Sequence, residues 1–197
     1  FSAIVGALPS NFTPVLFDYY HVDGKNMTVR PPSEMVSMLE AQCHKLEGET
    51  WLIGHSMGCT IISMSSLRPA KTILLAPPLQ TSSRPVNFKE YFLQRHPDAH
   101  EENGLITLPR RNGGKFVLTP EWFAELERLN HGVPTLKFIQ ENSVSIIFGT
   151  DDLSTPIPED NHNFWDLNKP ILEIPGNHNF DPPHREELVR QVISLLQ

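Results

Sequence analysis

The chain lacks the features that mark several large classes of protein. It has only two cysteines, Cys43 and Cys59, which excludes a disulfide framework and predicts a reduced, cytoplasmic setting. No apolar run reaches the ~18 residues that a membrane-spanning helix needs, so no membrane span is expected. Basic residues do not predominate either. The net charge is −7 with the two signs scattered, which argues against nucleic acid as a partner.

Motifs for metal and nucleotide chemistry are also missing. The sequence contains no H-E-x-x-H, no C-x-x-C and no glycine-rich phosphate loop, so neither a metal nor another cofactor is expected. His96 and His100 have a two-histidine spacing, but Pro97 and the charged surroundings indicate a solvated turn. Cys59 is expected to be a small buried residue rather than a second nucleophile.

What the chain does have is an alternation of strand-like and helix-like segments. Short apolar strands are predicted at 15–19, 50–53, 71–76, 144–148 and 171–174, and helices at 32–46, 57–67 and 184–196. Apolar strands that alternate with helices are typical of an α/β fold. We therefore predict a mostly parallel sheet that is covered by helices on both faces.

The interval 77–142 breaks this alternation. It holds a double proline, a helix-like stretch from Phe88, and a helix that has Thr119 as N-cap and is expected to run to Gly132. An insertion of this length between sheet strands should have a structure of its own. We predict that 77–142 is a cap over the carboxyl edge of the sheet; the alternative is a packed side element that binds no ligand. The α/β core is then assigned to 1–76 and 143–197.

The most informative stretch is Gly54-His55-Ser56-Met57-Gly58, which follows one predicted strand and precedes a predicted helix. Gly-x-Ser-x-Gly in that context is typical of a nucleophile elbow, a tight turn in which the serine takes a strained backbone conformation. Neighbouring side chains would collide in such a turn, which explains the glycines at 54 and 58. The amide of Met57, at the positive end of the helix, is the expected oxyanion donor.

A serine nucleophile needs an imidazole to take its proton and a carboxylate to orient that imidazole. One later predicted strand runs into Asp151 and Asp152, and the last one runs into His178. The carboxyl ends of parallel strands meet at one sheet edge, so these groups are expected beside Ser56. Either aspartate alone could simply cap a turn, and His178 is one of nine histidines. The order Ser, Asp, His after three strands favours a triad.

These residues resemble those of the α/β-hydrolase-fold serine hydrolases, an esterase- and lipase-like superfamily. The family's acid lies three residues after the glycine of its loop, here Gly149, which selects Asp152 over Asp151. The segments that match the elbow, the acid loop and the histidine loop are 54–58, 148–156 and 176–180.

The resemblance implies a hydrolase that cleaves a small-molecule ester or related acyl bond through an acyl-enzyme. Ser56 would be the nucleophile, His178 the base, Asp152 the orienting acid and Met57 an oxyanion donor. Acyltransferase, thioesterase and carbon–carbon bond hydrolase activities use the same triad and stay open, as does a non-catalytic binding module that kept the elbow. The oligomeric state is not specified by the sequence.

A second oxyanion donor is not evident upstream of Ser56, where the family often carries His-Gly after a strand. Phe1, Ile4, Val5 and Leu8 have helical spacing, so this stretch resembles the family's first helix. The chain also begins at Phe1 rather than Met. We therefore expect the oxyanion strand and loop to lie upstream of Phe1.

An apolar acyl pocket is the last expectation from the sequence. It rests on the apolar content of the insertion alone. Aromatic side chains that pack inward on one another would rule it out. The predicted pocket residues are His55, Phe88, Tyr91, Phe92, Trp122 and Phe123.

Overall fold

The structure is a computed structural model that describes residues 1–79, 88–110, 112–129, 132–155 and 169–197. The chain divides into two compact units, each with a β-sheet of its own. The first unit comprises Phe1–Leu16, Lys45–Gln80 and His131–Gln197, and the second comprises Phe17–His44 and Thr81–Asn130. In chain order the elements are α1 (Ser2–Ala7), β1 (Tyr20–Asp23), β2 (Asn26–Val29), α2 (Pro32–Cys43), β3 (Trp51–His55), α3 (Met57–Met64), β4 (Lys71–Leu75), α4 (Phe88–Arg95), β5 (His100–Glu102), β6 (Leu105–Pro109), β7 (Lys115–Leu118), α5 (Pro120–Arg128), α6 (Gly132–Glu141), β8 (Val144–Gly149), β9 (Ile171–Ile174) and α7 (Arg185–Leu195).

The sheet of the first unit has four strands in the order β3-β4-β8-β9, and each neighbouring pair is parallel. In register, His55 lies opposite Leu75, which lies opposite Ile147, while Gly149 lies opposite Ile174. Every residue of β8 is buried. Continuous burial of this kind is typical of a central parallel strand covered on both faces. All four strands end at the same edge of the sheet.

Helices cover both faces of this sheet. On one face, Ile73 and Ile147 form a buried cluster with Ile4 of α1 and with Leu188 and Val192 of α7. Successive strand residues point to opposite faces, so their neighbours in β4 and β8 face α3 and α6, which contact each other. The prediction of a mostly parallel α/β sheet with helices on both faces is confirmed.

The predicted strands at 50–53, 71–76, 144–148 and 171–174 and the helical spacing of residues 1–8 are also confirmed. The predicted strand at 15–19 is wrong, because within the described stretch 1–79 the first strand begins at Tyr20. Val15 and Leu16 are 45% and 67% exposed. The chain passes from the first unit to the second here, and none of the strands in the described ranges pairs with this run.

The second unit contains a five-stranded mixed sheet in the order β1-β2-β7-β6-β5. The hairpins β1–β2 and β5–β6 were not predicted from the sequence. Asn103 and Gly104 join β5 to β6 with positive φ values of 52° and 79°. Asn-Gly between two strands is a strong signal for a two-residue hairpin turn. The signal was therefore present, but the polar strand His100–Glu102 beside it hid the pattern.

The division into units differs from the boundaries expected from the sequence. Residues 17–44, assigned to the core, lie in the second unit, where the amide and hydroxyl of Ser33 in α2 donate to Glu125 in α5 at 2.8 and 2.6 Å. Helix α6, assigned to the insertion, lies in the first unit and packs on α3.

Within the second unit, Thr119 caps α5 as predicted and accepts from the amide of Trp122. The helix ends at Arg128 rather than running to Gly132, which begins α6. The role of the insertion as a cap stays a prediction. None of the helices in the described ranges has the length and apolar character needed to cross a bilayer.

Candidate active site

Ser56 lies in the turn between β3 and α3, in an unusual backbone conformation. Its φ is 52° and its ψ is −119°, outside the regions that a residue with a side chain ordinarily adopts. Two hydrogen bonds hold the turn: the Ser56 amide donates to the Leu75 carbonyl at 3.0 Å, and the Cys59 amide donates to the Ser56 carbonyl at 2.9 Å. The sequence Gly-x-Ser-x-Gly therefore forms the strained strand-to-helix turn that the pattern predicts.

The two glycines of the elbow have different surroundings. A Cβ added to Gly54 would lie 2.7 Å from Cδ1 of Ile62 and 3.0 Å from the amide nitrogen of Cys59. Gly54 therefore permits the close approach of β3 to α3. Apart from its chain neighbours and the backbone of its own helix, a Cβ added to Gly58 would meet no atom of the described residues within 4 Å. The expectation that both glycines relieve a collision is supported at Gly54 and wrong at Gly58.

His178 follows β9 and reaches Ser56 directly. Its Nε2 lies 2.8 Å from the Ser56 hydroxyl. The loop is shaped by Asn177, whose side-chain oxygen accepts from the amides of Asn179 and Asp181 at 3.1 and 3.2 Å. Local side-chain acceptors of this kind stabilise turns in place of regular secondary structure.

Asp152 follows β8 and lies on the other side of the His178 ring. Nδ1 of His178 donates to Oδ2 of Asp152 at 2.8 Å. A carboxylate only accepts, so Nδ1 carries the proton and Nε2 is left to accept from the Ser56 hydroxyl. The Asp152 side chain is fully buried, while that of His178 is 22% exposed. The three groups thus form an unbroken chain of hydrogen bonds that begins at an accessible edge and ends on a buried carboxylate.

The environment of Asp152 keeps its carboxylate ionised. Burial alone would raise its pKa, but hydrogen bonds from the Thr155 hydroxyl, from His178 and from two backbone amides outweigh burial and leave the pKa lowered. The amides are those of Ser154 and Thr155, at 2.7 and 3.0 Å from Oδ1. Hydrogen bonds to the charged form of a carboxyl group favour that form. A negative charge is therefore held against the imidazole at neutral pH.

The acid loop and the histidine loop are joined through their backbones. The amide of Asp151 donates to the carbonyl of Gly176 at 3.0 Å, while the Asp151 side chain is exposed. A Cβ added to Gly149 would lie 2.4 Å from that same carbonyl oxygen. Glycine at 149 therefore lets the loops meet. Of the two aspartates, Asp152 is the one that contacts His178.

Thr155 is a site residue that the sequence analysis missed. Its buried hydroxyl lies 2.5 Å from Oδ2 of Asp152, 3.2 Å from the carbonyl of Ala76 and 3.3 Å from Nδ1 of His178. The hydroxyl has one proton, and the shortest contact indicates that Asp152 receives it. The available signal was a threonine three residues after the acid, a spacing at which Asp and Thr readily bond locally.

His55 contacts the backbone beside His178. Its Nε2 lies 2.7 Å from the carbonyl oxygen of His178, and the two imidazole rings are 5.0 Å apart. Burial is the main cause of a lowered pKa at His55. The side chain thus has a hydrogen-bonding role that its assignment to a substrate pocket did not anticipate.

The other predicted pocket residues pack on one another in the second unit. Trp122 and Phe123 are buried with their rings perpendicular at 4.8 Å, and Phe88 and Phe92 of α4 lie 6.1 and 5.6 Å from Phe123. Tyr91 lies 6.3 Å from Phe88. Trp122 and Phe123 are buried between α4 and α5, whereas Phe88 and Phe92 are half-buried and Tyr91 is exposed. The acyl pocket stays a prediction.

Two further expectations concern α3, the helix that follows Ser56. Cys59 is fully buried, its thiol donates to the Leu75 carbonyl at 3.3 Å, and burial raises its pKa, so it is a packed thiol as predicted. Met57 is the first residue of α3, and the first amides of a helix have no acceptor within that helix. Its role as oxyanion donor stays a prediction.

In the described ranges, no cluster of three or more His, Cys, Asp or Glu side chains could hold a metal ion.

Similarity to known proteins was found in structure rather than in sequence. No family model matches the chain, and no curated protein does. A monoacylglycerol lipase of Paleococcus ferrophilus superposes with a TM-score of 0.51 at 19% identity, over 85% of this chain and 75% of that one. Est1E from Butyrivibrio proteoclasticus gives 0.53 at 19%, over 85% and 70%. A structure from work on the metagenome-derived lipolytic enzymes LipS and LipT gives 0.53 at 14%, over 84% and 73%.

The chain has the α/β-hydrolase fold, as the sequence predicts. Its structural neighbours are hydrolytic enzymes. At 14–19% sequence identity the likeness concerns the fold alone. The chemistry depends on the geometry around Ser56.

Proposed function

We propose that this protein is a serine hydrolase that cleaves a carboxylic ester or a related acyl bond. Ser56 is the nucleophile, His178 the general base and acid, and Asp152 the group that orients His178. The observation that carries the proposal is the pair of 2.8 Å hydrogen bonds from Ser56 Oγ to His178 Nε2 and from His178 Nδ1 to Asp152 Oδ2. Each bond has the polarity that proton removal from the serine requires.

In the first half of the reaction, Ser56 Oγ attacks the acyl carbon while its proton passes to His178 Nε2. The carbonyl oxygen becomes an oxyanion, to which the amide of Met57 donates. When this intermediate collapses, the bond to the leaving group breaks and His178 returns the proton to the leaving oxygen. The products are a free alcohol and an acyl ester of Ser56.

In the second half, water replaces the alcohol. His178 Nε2 takes a proton from the water as its oxygen attacks the acyl carbon, and the same proton returns to Ser56 Oγ when the acyl–serine bond breaks. The carboxylic acid leaves and the free serine is restored. The charge of Asp152 stabilises the imidazolium in both halves, and its burial makes this interaction stronger than it would be in water.

The choice of an ester as substrate is supported by the structural neighbours of this chain. One is a monoacylglycerol lipase, and another comes from work on the lipolytic enzymes LipS and LipT. Acyl transfer and thioester hydrolysis would use the same hydrogen-bonded groups. The nature of the acceptor in the second half separates these reactions.

Labelling with a fluorophosphonate probe tests the proposal, because the probe reacts only with an activated serine. The wild-type chain is expected to be labelled and Ser56→Ala not, in line with a loss on the order of 10⁶ in kcat when such a serine is removed. The matched control is Ser154→Ala. Ser154 is an exposed serine two residues from Asp152 whose amide, rather than its hydroxyl, binds the carboxylate. That variant should be labelled like the wild type.

Two results would contradict the proposal. Labelling of Ser56→Ala at the wild-type rate would mean that another serine reacts. A folded wild-type chain that takes up no probe would favour a non-catalytic binding module. If the proposal holds, p-nitrophenyl esters of short and long acids then define the acyl preference, and added alcohols reveal any acyl transfer.

A further inference from the structure

We propose that His55 is a positioning residue that holds the backbone of His178 in place, and this inference rests on the proposed function. Its Nε2–H donates to the carbonyl oxygen of His178 at 2.7 Å. His55 is the last residue of β3 and precedes Ser56 in the chain. One short contact therefore ties the strand that carries the nucleophile to the loop that carries the base.

The contact acts on the part of the loop that sets the ring position. A backbone hydrogen bond from the amide of Asp151 to the carbonyl of Gly176 holds the loop two residues before His178. On the far side of His178, Phe180 is buried in the core with a φ of 48°. The bond from His55 fixes the peptide of residue 178 between these two anchors. A shift of that peptide would move the imidazole away from the Ser56 hydroxyl.

The proton and charge of His55 suit this role. A carbonyl oxygen only accepts, so Nε2 of His55 must carry a proton. Burial lowers the pKa of His55, which keeps the ring neutral. A charged donor at this position would lie close to the imidazolium that forms on His178, since the rings are 5.0 Å apart, and would disfavour it. A neutral imidazole supplies the donor without that repulsion.

The surroundings of the ring limit its freedom. The His55 side chain is half-buried, and its ring meets that of Phe180 edge to face at a centroid distance of 6.4 Å. The imidazole thus packs against the loop it binds. Because the tie is made to a main-chain atom, it leaves both nitrogens of His178 free for Asp152 and Ser56.

The test compares two substitutions of equal length. His55→Gln keeps an N–H donor at about the same reach, while His55→Met fills the same space without a donor. We expect His55→Met to react with the fluorophosphonate probe between about 10- and 100-fold more slowly than the wild type, because small misplacements of a catalytic group cost up to that much. His55→Gln should recover most of the wild-type rate. Equal rates for the two variants would overturn the inference.

A spectroscopic measurement makes the outcome independent of the reaction. In wild-type protein with ¹³C,¹⁵N-labelled histidine, the nitrogen shifts of His55 should report a neutral ring protonated at Nε2, and a coupling across the hydrogen bond to the carbonyl carbon of residue 178 should be detectable. An unprotonated Nε2 would overturn the inference even if no variant folded.

These two readouts also separate failure of the tie from failure of the proposed function. A wild-type chain that takes up no probe would refute the proposed function and, with it, this role of His55. The coupling would then show that the hydrogen bond exists without a catalytic purpose. A normal wild-type rate together with an unchanged rate in His55→Met would refute the positioning role alone.

Discussion

The strand-end loops of the first unit and the helix packing of the second unit are built from different kinds of contact. In the loops of the first unit, buried polar groups bond to one another: Asp152 alone accepts from two amides, a hydroxyl and an imidazole. In the second unit, aromatic rings pack between α4 and α5, and the hydrogen bonds from Ser33 to Glu125 lie at the surface. The first arrangement positions proton donors and acceptors, whereas the second buries apolar area. Substitutions in the first unit's loops should therefore change the reactivity of Ser56, and substitutions in the second unit's core should change stability.

The largest expected effect is on stability, from Phe123→Ala in the second unit. Phe123 is 3% exposed and contacts rings of both α4 and α5. Truncation of a buried phenylalanine removes apolar burial and leaves a cavity, so the free energy of unfolding should fall by about 3–5 kcal/mol. Equilibrium denaturation in urea measures this fall, while the folded protein should keep the wild-type rate of labelling at Ser56.

Tyr91→Ala is the matched control for Phe123→Ala, because Tyr91 belongs to the same ring cluster but is 36% exposed. It should cost clearly less stability. An equal fall in the free energy of unfolding for the two variants would mean that burial of the rings is not the source of their stabilising effect. If folded Phe123→Ala is labelled more slowly than the wild type, the core of the second unit affects the reactivity of Ser56 as well as the stability.

The features that could be predicted from the sequence are those that a local pattern determines. The strands at 71–76 and 144–148 contain the consecutive apolar residues 73–76 and 146–148, a pattern typical of central parallel strands. Ser56, Asp152 and His178 each follow such a strand, and parallel strands bring their carboxyl ends together. The fold class and the three side chains of the hydrogen-bonded chain could be named for that reason.

The remaining features depend on contacts between distant parts of the chain. The bond from His55 to the His178 carbonyl spans 123 positions, and no local spacing signals it. The apolar run at 15–19 resembles a strand, but pairing with a neighbour decides whether a strand forms. The aromatic residues of 77–142 were assigned to a pocket from composition, which does not specify whether rings face a ligand or one another.

The next largest effect is expected in the first unit, from Thr155→Val. This change removes the hydroxyl that donates to Oδ2 of Asp152 but keeps nearly the same volume. A hydrogen bond to a charged group is worth about 1.5–3 kcal/mol, so labelling at Ser56 should slow by about tenfold or more. Thr155→Ser keeps the hydroxyl and should restore the rate, while the unfolding free energy of Thr155→Val should fall by less than that of Phe123→Ala.

The titration of Asp152 gives Thr155→Val a second readout. Burial raises the pKa of Asp152, but its hydrogen bonds lower it overall, so the ionised form is lost only as the pH falls through that lowered value. Removal of the Thr155 donor should move this pKa upward. In protein with ¹³C-labelled aspartate, the carboxyl carbon of Asp152 should then titrate at a higher pH than in the wild type. An unchanged titration would show that the hydroxyl does not bind the carboxylate.

The smallest effects compare the two glycines within the elbow. In Gly54→Ala the new methyl group meets Cδ1 of Ile62 and the backbone nitrogen of Cys59, so the free energy of unfolding should fall by about 1–3 kcal/mol. In Gly58→Ala the methyl group enters open space within α3, where alanine is favoured over glycine by up to about 1 kcal/mol. Urea denaturation should therefore give opposite signs for the two variants, and a matching loss in both would mean that the elbow is crowded on each side.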